Sequence, residues 1–472
     1  MIALDRAVVA VDVGTSAVRA ALVSVDDGIL RAVRVARTEG VGGATYVADA
    51  LQRDVEGAVA ALEVDGRPAA LAIAAHIGAV AVDDALQPVV APGSWSDARG
   101  LELLADMTEP ILRHVLAASG RPAPAGGGLA LAASLVGTDA ARRVASVLSP
   151  KDLLVARLTG HVGADVVDAA YTLAFDVAAA RWSDAADALG VPRGWLPPLA
   201  TPDALVATLD EHAAARCRLA PGTSVVSGAP DGSAGIGILL GTRTDAIADV
   251  AGTTDVLGRL LVDLADAPRG SVRNPALVPS RWIAGGATGM TGGAVARWRA
   301  LVGAVDEHAI ADVPVGARGL QVVPGMSGTR FPRWRADDLG ALVGQTPAHG
   351  AAEILRAAQE GASHVVREGV DVLDPSGSLP VVLAGGSTRS EHVVRMRAAI
   401  LGRSVLVSSD PDVTLAGAAG LALVGAGLVD DLDEARDRLG IALRHVDPDA
   451  RDVTAYAEQH EAWRATCDAL VG

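Results

Sequence analysis

The sequence predicts an α/β protein built from two related halves, and three observations carry that reading. Strand-like runs rich in Val, Ile and Ala alternate with helix-like segments along the chain, the pattern of a mixed α/β architecture. DVGTSAVRAALVSVD, Asp12 to Asp26, has an echo in DVAGTTDVLGRLLVD, Asp249 to Asp263: each sets a Gly-Thr turn between two apolar runs, and each begins roughly half of the chain. At 472 residues, 50% of them hydrophobic and 20% charged, the chain is long enough for two or three domains with sizeable cores. The expectation is a duplicated domain with a cleft between the copies, although Gly-Thr turns are also ordinary hairpin chemistry.

Taken in order, Val8 to Asp12 and Arg19 to Val25 are expected as the strands of a buried hairpin, followed by strands at Leu71 to Ala75 and Val80 to Val82. Ala48 to Leu62, Leu101 to Ala118 and Asp139 to Leu148 are expected as helices. RPAPAGGGLA, Arg121 to Ala130, reads as a flexible loop, and Pro192 to Ala204 as a Pro-rich connector. Ser224 to Ser227 is a short strand that leads through GAPD into a Gly/Ala/Ile helix. LPVVLAGGSTRSEHVVRMRAAILG, Leu379 to Gly402, reads as a strand, a turn at Gly385 and Gly386, and a helix with apolar positions Val393, Met396 and Ile400.

Charge and composition exclude several function classes. A net charge of -16 gives no electrostatic footprint for nucleic acid or an anionic membrane, so the expected partner is a small molecule. Apolar runs such as Ile236 to Leu240 are too short to span a bilayer. Cys217 and Cys467 stand alone without disulfide or metal spacing, and MIALDRAVVAVD lacks the ordered regions of a signal peptide, which points to the cytoplasm. Lys151 is the only lysine, so arginine supplies nearly all positive charge, a bias of composition.

The turns carry the chemistry. Backbone N–H groups and hydroxyls of a tight turn such as Gly14, Thr15 and Ser16 can hold phosphate oxygens, and a carboxylate at the strand end, Asp12, can hold the hydrated Mg²⁺ that accompanies them. A strand, glycines and a helix start at Gly385 and Gly386 let a ligand approach the backbone, though glycine there also serves geometry alone. Two such turns facing each other would bracket a triphosphate. No GxxxxGK[ST] loop is present, since Lys151 sits in SPKDLL with no glycine loop before it.

DVGTSAVR, SWSDAR, SPKDLLVARLTG, DAAYTLAFDVAAARWS, SGAPDGSAGIG, AGTTD, AGGSTRS and LAGAAGLALVGAG occur in this order between Val8 and Gly427. With these eight segments the chain resembles the FGGY family of carbohydrate kinases, and SWSDAR resembles its xylulokinase-like members. The resemblance implies two ribonuclease-H-like domains of the actin-like ATPase type flanking a catalytic cleft. Residues 1–238 would form the sugar-binding side with the catalytic base, and 239–472 the nucleotide-binding side. It implies ATP and Mg²⁺ as cofactors and phosphorylation of a small sugar or polyol, with a ketopentose such as xylulose foremost. Asp231 is the implied base, otherwise readable as a helix N-cap. Asp12 would order Mg²⁺, Thr15 and Ser16 with Gly14 would form one phosphate turn, and Gly252 and Thr253 the second. Gly385, Gly386 and Ser387 would line the adenosine side. Trp95 and Asp97, supported by Arg99, would meet the sugar, the alternative being a surface turn with an Asp–Arg pair.

Some positions depart from the family pattern. AAHIGAVAVDD stands where xylulokinases carry Gln-Met-His-Gly, which displaces His76 by one place, and Thr329, Arg395 and Ala399 replace Glu, Gln and Asp of many relatives. These departures leave other acceptors open (glycerol, a tetritol, gluconate or ribulose), and with them a catalytically weakened sugar or nucleotide sensor. A phosphohydrolase is disfavoured by SWSDAR, and a DNA-binding repressor by the lack of a helix-turn-helix before the first strand. A homodimer is left open.

Overall fold

The computed structural model describes residues 3–38, 43–326 and 328–470. Strand β1 (Ala7–Val13) is apolar except for Asp12 and buried along its whole length, as a central strand covered on both faces must be. It pairs antiparallel with β2 (Ala17–Ser24), Val13 opposite Val18, and β2 pairs with β3 (Gly28–Ala36), whose burial alternates as it does at a sheet edge. Helix α1 (Ala48–Ala60) then leads to β4 (Ala70–Ala75), parallel to β1 with Val13 opposite Ala75. After α2 (Pro150–Thr159) and α3 (Val166–Tyr171) come β5 (Leu205–Thr208), β6 (Ser224–Val226) and β7 (Ala229–Pro230). The sheet order is β5-β6-β4-β1-β2-β3, with β7 continuing beside the end of β4, Pro230 opposite Ala75. Helix α4 (Asp231–Leu240) follows at once. The helix Val413–Gly425 packs against it so tightly that a Cβ on Gly417 would lie 2.1 Å from Ala234 O.

The second sheet repeats this plan. β8 (Ile247–Ala251) and β9 (Asp255–Leu261) form an antiparallel hairpin, with β10 (Trp282–Ala287) beyond β9. Helix α5 (Thr291–Val302) precedes β11 (Val381–Gly385), which lies parallel to β8, Ala251 opposite Gly385. Helix α6 (Glu391–Leu401) leads to β12 (Val405–Ser408), parallel to β11, and β13 (Leu443–Val446) closes the order β10-β9-β8-β11-β12-β13 as an antiparallel edge. The echo between Asp12–Asp26 and Asp249–Asp263 is therefore a repeated hairpin with a parallel neighbour.

The chain packs into two units, Met1–Thr242 with Arg273–Trp282 and Val413–Gly440, and Arg243–Val272 with Ile283–Asp412 and Ile441–Gly472. The division expected from chain order fell after residue 238; in the packing two later segments join the first unit. Among the described residues no helix is long and apolar enough to cross a membrane.

Three local expectations are corrected. Leu101 to Ala118 is two helices, Leu101–Ala105 and Glu109–Ser119, because Pro110 fits only the first turn of a new helix. Asp139 to Leu148 is a 3-10 turn, Ala140–Arg143, followed by a strand, Ser146–Leu148, antiparallel to Gly78–Val82; strand pairing and the burial of Val144 and Val147 override the local helical pattern. In the expected loop Arg121 to Ala130 a helix already begins at Gly128, and its glycines serve close packing: a Cβ on Gly126 would meet Asp97 O at 2.0 Å, and Arg121 is buried, donating to Ala170 O at 2.7 Å.

Candidate active site

Ligands of open α/β sheets bind beyond the carboxyl ends of the strands, and in the first unit the expected residues gather there. Asp12 is the penultimate residue of β1, His76 follows β4 and Asp231 follows β7. The register Val13–Ala75–Pro230 sets the three strand ends side by side, and His76 N–H donates to Val13 O at 3.1 Å. Asp231 opens α4 without capping it; the N-cap is Pro230, and Asp231 Oδ1 accepts from the next amide, Gly232 N, at 2.7 Å. Burial pushes its carboxyl above the ordinary 3.8, outweighing the neighbouring His76 and the Gly232 N–H.

His76 is buried and its tautomer is fixed by its partners. Nδ1 donates to Ile77 O at 3.1 Å, which leaves Nε2 to accept from Arg37 Nη1 at 3.4 Å. The ring stands edge-on to Tyr46, centroids 5.6 Å apart, and burial holds its pKa below 6.5. Arg37 Nη1 also reaches Gly14 O at 3.3 Å, so a buried guanidinium links the imidazole to the first turn. In that turn Gly14 N–H donates to Ala17 O at 3.0 Å, while Thr15 and Ser16 are exposed. Asp12 is 3% exposed and its Oδ2 accepts from Arg19 Nη1 at 2.6 Å.

SWSDAR lies beside this group, because Ser94 pairs with Gly78, two residues after His76. Asp97 is buried, and Arg99 grips it with Nε 2.9 Å from both oxygens and Nη2 2.6 Å from Oδ2. The Asp–Arg pair weighed from the sequence is present, with its carboxylate buried. Trp95 is 38% exposed.

In the second unit Gly252 and Thr253 form the exposed tip between β8 and β9, and the start of α5 closes on it, Gly293 N–H donating to Thr253 O at 2.8 Å. Gly385 has φ +97, and a Cβ there would lie 2.2 Å from Ala251 O. Gly386–Arg389 make one 3-10 turn before α6, and Ser387 Oγ is buried without a hydrogen-bond partner among the described residues. Beneath both turns Arg397 Nη1 bridges Asp249 Oδ2 at 2.6 Å and Asp255 Oδ1 at 2.7 Å. Burial and Asp255 push the Asp249 carboxyl well up against the pull of Arg397. Of the departing positions, Thr329 Oγ1 donates to Asp338 Oδ2 at 2.6 Å, Arg395 is exposed beside Glu391, and Ala399 is buried with Met396, Ile400 and Tyr456.

Sequence reading passed over Arg37, Tyr46 and Arg397, which carry no motif, and counted SPKDLLVARLTG as one of the eight family-like segments without a role for its lysine. The segment forms a helix, α2 ending at Gly160 with φ 76, and Lys151 within it is buried among carboxylates. Its singularity in the composition was the available signal.

Two sheets of one topology, each ending in a glycine- and hydroxyl-lined turn, with a buried carboxylate beside one of them, have the fold of solved sugar kinases, the actin-like ATPase fold. The chain belongs to the FGGY family of carbohydrate kinases: the family's N-terminal domain matches residues 7–237 and its C-terminal domain residues 248–426. It is 30% identical to the xylulose kinase of Escherichia coli (strain K12) over 334 residues, 68% of each chain. Its fold matches the ligand-bound xylulose kinase from Lactobacillus acidophilus with a TM-score of 0.88 at 20% identity, over 99% of this chain and 98% of that one. It matches the gluconate kinase from Lactobacillus acidophilus equally, TM-score 0.88 at 20% identity and 98% of both chains.

Proposed function

We propose that the protein transfers the γ-phosphoryl group of ATP to a hydroxyl of a small sugar or polyol, a ketopentose such as xylulose foremost. The reading rests on the placement of Asp231, His76 and Asp12 at three adjacent strand ends. Asp231 accepts the proton of the acceptor hydroxyl as its oxygen bonds to phosphorus and ADP leaves. A carboxyl raised by burial suits that task, since a base works best with a pKa nearer the working pH. His76, neutral with Nδ1–H engaged by Ile77 O, and Trp95, Asp97 and Arg99 belong to the acceptor side. Arg99 orients the Asp97 carboxylate, which would also accept from sugar hydroxyls. The hydroxyls and amides of Gly14, Thr15 and Ser16 and of Gly252 and Thr253 would receive phosphate oxygens, and Gly385, Gly386 and Ser387 the adenosine side.

Mg²⁺ fits the donor set. Asp12 with Thr15 and Ser16 offers the all-oxygen surroundings that a hydrated Mg²⁺ takes, and Asp12 would hold it through water while Arg19 keeps one carboxylate oxygen. Bound there, the ion would neutralise charge on the transferring phosphate. The test is ADP release by the purified protein with ATP, Mg²⁺ and a panel of xylulose, ribulose, gluconate, glycerol and a tetritol. Turnover greatest with xylulose is expected. Binding of sugar and nucleotide without ADP release from any acceptor would replace the kinase reading by a sensor.

A further inference from the structure

Lys151 is the only lysine in a chain with 40 lysine and arginine residues, and no step of the phosphoryl transfer uses it. It sits in the first turn of α2, 1% exposed. Its Nζ donates to Ser227 O at 2.8 Å and to Asp152 Oδ1, and lies 3.0 Å from Asp165 Oδ2 and 3.5 Å from Asp168 Oδ2. The ligand atoms of the three carboxylates lie within 4.8 Å of one another, a cation-site spacing, and the ammonium fills that place. Burial pulls the ammonium pKa down, but Asp152, Asp165 and Asp168 outweigh it, so the lysine stays charged.

Two backbone arms lead from this cluster to Asp231. Ser227 and Gly228 join β6 to β7, whose next residue is Asp231. Gly228, at φ +81, lies against the lysine stem: a Cβ there would be 3.0 Å from Lys151 Cδ and 2.1 Å from Ile73 O. On the other side Asp165 Oδ1 caps α3 through the N–H groups of Val167 and Asp168, at 2.7 and 3.1 Å. Helix α3 packs on β7, and its last residue, Tyr171, lies beside Ser233 and Asp231.

We propose that Lys151 is a positioning residue for Asp231, tying both arms to one ammonium; the inference rests on the reading of Asp231 as the base. An ammonium is a compact donor that meets a carbonyl and several carboxylates arriving from different directions, whereas a guanidinium is a wide planar fork. This is the physical reason for a lysine at this site in a chain that otherwise uses arginine.

The test compares wild type, Lys151→Arg and Asp231→Asn with D-xylulose, or the panel acceptor that turns over, together with circular dichroism. Displacing a reacting group by about 1 Å costs on the order of 10²-fold in rate, so folded Lys151→Arg is expected to lose about that much kcat with KM for ATP within roughly twofold. Wild-type kcat in Lys151→Arg would overturn the proposal, as would parallel losses in kcat and ATP affinity. If the variant does not fold, ¹⁵N-lysine labelling gives one side-chain signal. That signal is expected to shift between wild type and Asp231→Asn, and an unchanged signal would overturn the coupling. Full activity of Asp231→Asn sinks the base itself; an active Lys151→Arg beside an inactive Asp231→Asn sinks only the positioning role.

Discussion

Replacing Gly385 by alanine tests the second turn by steric means alone. The new Cβ would sit 2.2 Å from Ala251 O, 2.8 Å from its carbonyl carbon and 3.0 Å from its nitrogen, on a backbone with φ +97. Contacts below 3.0 Å are not tolerated by real side chains, so the ends of β8 and β11 must separate, and Gly252 and Thr253 move with Ala251. Holding a non-glycine residue in that conformation costs about 1–3 kcal/mol, and overpacking a further ~1–3 kcal/mol. If half of that strain is relieved by displacing the turn, nucleotide binding weakens by about 1–3 kcal/mol, roughly fivefold to 150-fold. Calorimetric titration of a non-hydrolysable ATP analogue reads this directly. Gly377→Ala is the control: its φ is +72 but its Cβ would meet only Arg403 Nη2, at 3.9 Å, so it should lose some stability and keep the analogue's affinity. Wild-type affinity in Gly385→Ala would refute the placement of nucleotide at this turn.

Asp231→Asn should raise the melting temperature at neutral pH. Burial lifts the folded carboxyl above 3.8, so its contribution to stability is present at low pH and lost as pH rises through the folded value; calorimetry should show the gain of the amide shrinking as pH falls. Asp97→Ala removes the acceptor of three Arg99 donors and, in the proposed function, of sugar hydroxyls; loss of bonds to a charged group, about 1.5–3 kcal/mol, should then weaken acceptor affinity tenfold or more and leave the ATP analogue unaffected. Weakening of both ligands together would mean general unfolding. Asp12→Ala should raise the Mg²⁺ concentration for half-maximal turnover, and an unchanged metal titration would leave Asp12 as the partner of Arg19 only.

The two hairpins were legible because their apolar runs are long, largely buried and broken by a Gly-Thr turn, so local pattern and tertiary burial agree. Asp139 to Leu148 was misread because a short apolar run fits helix or strand equally, and the pairing of Ser146–Leu148 with Gly78–Val82 is non-local. The candidate site was legible residue by residue through its motifs, but the adjacency of Asp12, His76 and Asp231 depends on strand register across β1, β4 and β7. Arg37 carried no signal and Lys151 only its singularity in the composition, for a further reason: the role of a buried cation is set by the partners that folding brings to it, here Gly14 and His76 for one and Ser227 with three aspartates for the other.

In the proposed reaction the buried Asp231 carboxylate takes the acceptor proton during phosphoryl transfer. The most direct measurement is turnover of Asp231→Asn on the preferred acceptor, with titration of that acceptor and of the ATP analogue on the same protein. The amide keeps the shape and cannot accept the proton, so a loss of about 10²–10⁴-fold in kcat with both affinities retained is the expected result. Retention of more than about half the wild-type rate, against that expected loss, would contradict it.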